Sequence, residues 1–143
     1  MTRAGLSIGD LVVLDSEAER GVGLVADVRR ADCRVLYLRV GQALWARHRD
    51  VRRAPPAEVE GSLEALVAEL LVLLAAAEME FTAVGDDRYR LCASHGPIAP
   101  EVIDEARARL GPRLRGALIR PQGMHRIQTV LEFTFPRQTS PSV

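Results

Sequence analysis

The sequence predicts an α+β protein of two small modules, a β-barrel followed by a helix, a β-hairpin and two more helices. Three observations lead there. Short apolar runs separated by polar turns fill residues 9–54. A leucine-rich stretch at helical spacing follows over 62–79. Behind it, alternating residues flank a Gly85-Asp86-Asp87 turn, and breaker-bounded segments come next. The expected boundaries are a barrel over 1–55, a linker over 56–61, a second module over 62–135 and a flexible tail over 136–143.

In the first module, "GDLVVLD" (9–15) is a short apolar strand and "SEAERG" (16–21) a polar loop. "VGLVADV" (22–28) is a second strand, "RRAD" (29–32) a turn and "CRVLYLRV" (33–40) a third strand. Strand alternation places Cys33, Val35 and Tyr37 on one face and Arg34, Leu36 and Leu38 on the other. "GQA" (41–43) turns the chain and "LWARHRDVRRA" (44–54) ends the module. Fewer than fifty residues of short strands leave room only for a small barrel. This pattern resembles the SH3-like and Tudor-like barrels, over about a third of the chain. In those barrels a Trp opens the fourth strand and a short helical turn leads into the last, roles that fall here on Trp45 and "RHRDVRRA". They bind peptides, RNA, DNA or other proteins, so the resemblance does not by itself select a ligand.

Two prolines at 55–56 stop the barrel. In "SLEALVAELLVLLAAAEM" (62–79), Ser62 is the N-cap, and Leu63, Leu66, Val67, Leu70, Leu71 and Leu74 form a wide apolar stripe. Glu64 and Glu69 are expected to point away from most of it. "MEFTAVGDDRYRLCAS" (79–94) reads as a hairpin. "PEVIDEARARL" (100–110) reads as a helix, with Pro100 at its first position and acids near its N-terminal dipole end. "GPRLRGALIRP" (111–121) reads as another short helix and "GMHRIQTVLEFTF" (123–135) as an extended run. The pieces "LVAELLVLL", "GDDRYRLCA", "GPIAPEVIDEARARL" and "RLRGALI", in that order over about sixty residues, resemble the TubC-type N-terminal docking domains of peptide and polyketide megasynthases. Related domains occur on small proteins of mobile elements. The run 123–135 and the preceding barrel are not part of that family's pattern.

Composition narrows the function classes. Hydrophobic residues make up 48% and charged ones 27%, so a core can form, and with aromatics at 4% it must rest on Leu, Val, Ile and Ala. All 19 basic residues are Arg, and the formal net charge is zero, which argues against a protein built mainly to coat nucleic acid. Charge is uneven: ten Arg against seven acids over 1–56 (+3), six Glu and no base over 57–80 (−6), nine Arg against six acids over 81–143 (+3). Two distant Cys fit free thiols in a reducing cytoplasm. The longest apolar run, 70–77, is far below the roughly 20 residues that span a bilayer, so no membrane partner is expected.

No constellation names a reaction. Cys92, Ser94 and His95 lie within four residues, but strand alternation sends residues 92 and 95 to opposite faces, and nothing like GxSxG surrounds Ser94. His48, His95 and His125 with the two Cys show no zinc spacing. Asp86-Asp87 fits turn chemistry rather than a calcium loop, and the glycines of "ERGVGLVAD" match no phosphate cradle. Neither an enzyme nor a cofactor is expected. Two binding surfaces are. The first is the 79–93 hairpin, where Arg88 and Arg90 share one face of a strand. A partner protein or acidic peptide would add as a strand, supported by a greasy helix face of Leu66, Leu70 and Leu74 that would also permit a homodimer. The TubC resemblance implies binding of acidic C-terminal peptides and transfers that role to Arg88 and Arg90. The alternative is a nucleic-acid-binding or RNA-polymerase-associated regulatory factor of plasmid or phage type, using Trp45, Arg47, Arg49, Arg52 and Arg53 on the barrel rim.

Overall fold

A computed structural model describes residues 5–136. The fold is α+β, with two antiparallel sheets. The first holds β1 (Leu11–Leu14), β2 (Gly23–Val28), β3 (Asp32–Tyr37), β4 (Gln42–Arg47) and β5 (Val51–Arg53) in the order β4-β3-β2-β1-β5. One 3-10 segment, Asp15–Arg20, fills the expected polar loop, and another, His48–Asp50, separates β4 from β5. The expected closed barrel does not form, because β4 and β5 end the sheet on opposite sides without pairing. β5 is three residues long and pairs with β1 alone, Val51 opposite Leu14 and Arg53 opposite Val12, and its other edge stays open.

Both faces of this sheet are buried over much of its area. Cys33, Val35 and Tyr37 join Val12, Leu14, Val25 and Val51 in an inner cluster. Leu36 and Leu38 alternate to the other side with Leu24 and Ala26, as the period of two requires. A Cβ at residue 23 would run into the Val35 side chain, so Gly23 lets β2 lie close against β3.

The expected linker holds a single turn, α1 (Pro56–Val59). α2 (Leu63–Leu73) begins at Ser62, whose Oγ accepts the Ala65 N–H at 3.1 Å. Next come β6 (Glu78–Gly85), β7 (Arg88–His95), α3 (Pro100–Leu110), β8 (Leu114–Pro121) and β9 (Ile127–Thr134). The four strands form the second sheet in the order β6-β7-β9-β8. The 79–94 hairpin is present, with Asp87 at φ 54° in its turn. α3 stops at Gly111, also at φ 54°, a conformation that favours glycine at a helix end.

The expected helix over 111–121 is instead strand β8. Leu114, Ala117 and Leu118 imitate helical spacing, but eleven residues with a central Gly116 cannot hold a helix alone. β9 offers pairing from Leu114 opposite Phe133 to Pro121 opposite Ile127, with a bulge between Leu114 and Gly116. The expected extended run 123–135 becomes β9, inserted between β7 and β8. The second module is therefore helix, hairpin, helix, hairpin. Past Pro136, the expected tail lies outside the described residues.

The two modules share a core. Leu63, Val67, Leu70, Leu71 and Leu74 of the α2 region pack with Leu24, Leu36 and Leu38 of the first sheet and with Leu91, Leu131 and Phe133 of the second. Ala106 and Leu110 of α3 join the same cluster. Glu64, expected to point outward, is buried, and Arg39 at the end of β3 reaches it with Nε and Nη2 at 3.2 and 3.4 Å. That pair ties the helix to the first sheet. No helix among the described residues is long and apolar enough to cross a membrane.

Candidate functional site

A sheet takes up a foreign strand only where its backbone is unpaired. Arg88 and Arg90 sit on β7, which is paired to β6 on one side and to β9 along its full length on the other. They do share the face away from the helices, since Tyr89 between them and Leu91 after them pack on the core. Cross-strand pairing sets Arg90 opposite Glu132, and its Nε and Nη2 donate to Glu132 Oε1 at 2.8 and 2.6 Å. Strand addition beside Arg88 and Arg90 is thereby closed off, because β9 supplies within the chain the neighbour that a partner would have supplied. The expected greasy support is closed off as well. Leu66, Leu70 and Leu74 are 9%, 0% and 0% exposed, covered by the two sheets, so this stripe is no docking or dimer face.

The open edges of the second sheet are β6 and β8. They differ in chemistry. β6 carries Glu78 and Glu80 and lies against the first sheet, where Ala26 and Asp27 line a cleft with both glutamates. β8 carries Arg115 and Arg120 and no acid. Among the described residues neither arginine forms an ion pair, and Arg115 donates only to the Pro112 carbonyl, at 3.4 Å. Leu118 is 53% exposed and Ile119 48%, with fully exposed Met124 in the turn beyond. Leu118 and Ile119 face opposite sides, so both flanks of this edge are apolar. Sequence reading missed the edge because it took 111–121 for a helix. The usable signal was the pair of adjacent β-prone runs, 114–121 and 127–134, around Gln122-Gly123.

The rim of the first sheet holds the other expected residues. Trp45 is 42% exposed, and Arg29 stacks its guanidinium 4.0 Å from the ring centroid. Arg47 and Arg49 are exposed at the end of β4. Arg52 and Arg53 do not belong with them. Arg52 donates to Asp15 at 3.2 Å and Arg53 reaches Asp10 at 3.5 Å, both on the far side of the sheet beside β1. Arg34, set opposite Trp45 by the β3–β4 register, Arg29, stacked on the ring from the β2–β3 turn, and Arg30, in a cleft with Arg47 and Arg49, take their place, and only contacts across strands bring them there.

The Cys92, Ser94 and His95 stretch resolves as structure. Cys92 and Ser94 face the cleft with Glu78 and Glu80, and Ser94 Oγ donates to Gln122 Oε1 at 2.7 Å. His95 is buried on the other face, its ring nitrogens 2.7 Å from the Gly96 carbonyl and from Thr129 Oγ1. Burial, then the Glu80 charge, pushes the Cys92 thiol up, away from the thiolate a nucleophile requires. Among the described residues no group of three or more His, Cys, Asp or Glu gathers in metal-binding fashion. Comparison with family models, with curated proteins and with solved structures finds no match for this chain.

Proposed function

We propose that this protein is a non-enzymatic docking module that takes an extended, acidic segment of a partner protein as an added strand beside β8. The open edge of β8 carries this reading: the eight-residue strand pairs on one side only, with exposed Leu118 and Ile119 and with Arg115 and Arg120 lacking acidic partners. Backbone hydrogen bonds give such a complex its affinity, and the side chains alternating on the two faces give its selectivity. A partner strand of alternating acidic and apolar residues matches both. The site differs from the 79–93 hairpin first expected, while the mode of binding and the charge of the partner are the same.

The test uses a synthetic peptide of alternating Glu and Val and reads amide hydrogen exchange along the chain. Slower exchange over 114–121, lost in Arg115→Glu/Arg120→Glu and kept in Arg88→Glu, is the expected result. Protection at β6 instead, or none at either edge, overturns the proposal.

A further inference from the structure

At the far end of the first sheet lies a second surface with a different chemistry. Arg29 and Arg34 lie against Trp45 there, with Arg47 on the same face and Arg30 and Arg49 in the cleft that Arg47 lines. β3 and β4 set Arg34 directly opposite Trp45 and Asp32 opposite Arg47. Residues directly opposite share a face, and so do residues two apart, so Arg34, Trp45 and Arg47 present one surface. Arg30, Arg47, His48 and Arg49 line a shallow cleft of about 630 Å³ beside it.

These arginines are grouped around an exposed indole, and none of them is held by a carboxylate. Arg20, Arg39, Arg52, Arg53, Arg90, Arg109 and Arg126 each pair with a carboxylate. Among the described residues none of the five around Trp45 does. Acids do stand close by, Asp27 opposite Arg34, Asp32 opposite Arg47, and Glu78 and Glu80 in the cleft that Arg34 lines, yet none of them forms an ion pair with the five, and Asp27 Oδ1 instead accepts the Val28 N–H. Five cations grouped without ion pairs repel one another, and a polyanion relieves that repulsion. The indole adds a requirement that a simple polyanion does not meet. Trp45 is exposed although a tryptophan is the largest apolar side chain a core can use, and Arg29 holds its ring in place. A pre-set ring among unpaired guanidinium groups matches the base and the phosphate of one strand of nucleic acid. A duplex keeps its base faces stacked inside and cannot use the ring in this way.

We infer that the rim formed by Trp45, Arg29, Arg34, Arg47 and Arg49 binds single-stranded nucleic acid, with bases stacked on Trp45 and phosphates on the arginines. The site is independent of the β8 edge. With both occupied, the protein joins a partner polypeptide to a nucleic-acid strand.

Trp45 is the sole tryptophan of the chain, so its fluorescence reports on this site alone. The experiment titrates the full chain with oligothymidylate, oligouridylate, a DNA duplex and inorganic polyphosphate at low and moderate salt. Expected are quenching of the indole by the two single strands and a log–log salt slope of roughly −2 for about three phosphate contacts. Arg47→Glu/Arg49→Glu, two exposed changes, should weaken binding at least about tenfold, and Arg115→Glu/Arg120→Glu should leave it unchanged. Binding without quenching, equal binding of polyphosphate or duplex, or no binding at low salt overturns the inference. Loss of binding in the β8 variant alone overturns the assignment to this rim.

Discussion

The two sheets are written in similar alternating sequence, yet they use their faces differently. The first buries both faces over its middle, one in its own inner cluster and one under α2. The second buries one face on α2 and α3 and leaves the other polar, where Arg90 and Glu132 pair across strands. The difference follows from where the single long apolar helix lies. α2 sits between the sheets and serves as the common wall of both. On the second sheet's outer face strand register sets Arg90 opposite Glu132, and the two pair, as on an ordinary solvated face. Arg34 and Arg47 at the first sheet's rim face Asp27 and Asp32 across strands and form no ion pair.

The sharpest way to break that comparison is to remove the shared wall. Leu70 is fully buried within the cluster that joins both sheets, so Leu70→Ala should cost about 2–5 kcal/mol. Denaturant unfolding followed by far-UV dichroism and by Trp45 fluorescence should shift together in one transition. Two separated transitions would mean that the sheets are independent units. A smaller effect sharpens the link between α2 and the first sheet. Arg39→Ala strands the buried Glu64 carboxylate and should cost about 1–3 kcal/mol. Glu64→Gln in the same background should recover part of that loss, which a merely local packing defect would not.

The smallest effect concerns the inner cluster, a feature the second sheet lacks. Burial, with the Asp32 charge second, pushes the Cys33 thiol up, and burial pushes the Tyr37 hydroxyl up against the opposing pull of Arg20. The folded chain holds both protons more tightly than the unfolded one does. Their contribution to stability is therefore complete below the ordinary thiol value of 9.0 and declines as pH rises past it and past the tyrosine value of 10.0. Urea midpoints should fall as pH rises through that window, and less steeply in Tyr37→Phe. At neutral pH that variant should be no less stable than the parent, since Tyr37 Oη is buried without a hydrogen-bond partner.

The sequence carried the local pattern well. The alternation in "CRVLYLRV" sorted Cys33, Val35 and Tyr37 from Leu36 and Leu38, and the structure places the two sets in different clusters. Ser62, the leucine stripe, the Asp87 turn and the helix from Pro100 were equally legible, because each is decided by neighbours a few residues away. The candidate surfaces were legible as residue types, while the grouping of those residues was not. Arg88 and Arg90 share a face as expected, but no local signal shows that β9, some forty residues later, pairs with their strand. Trp45 with Arg47 and Arg49 was found, whereas Arg52, Arg53, Arg29 and Arg34 were sorted only by pairing across strands.

The amino-acid order by itself determined which residues alternate, which stripe is apolar and where turns and caps fall, since these depend on backbone preferences and side-chain periodicity over a single element. Only the tertiary structure decided that 114–121 is a strand, that α2 lies between two sheets, and which arginines have acidic partners. Those outcomes depend on contacts between residues far apart in the chain. A weak local preference yields there to the larger gain of completing a sheet and burying a shared face.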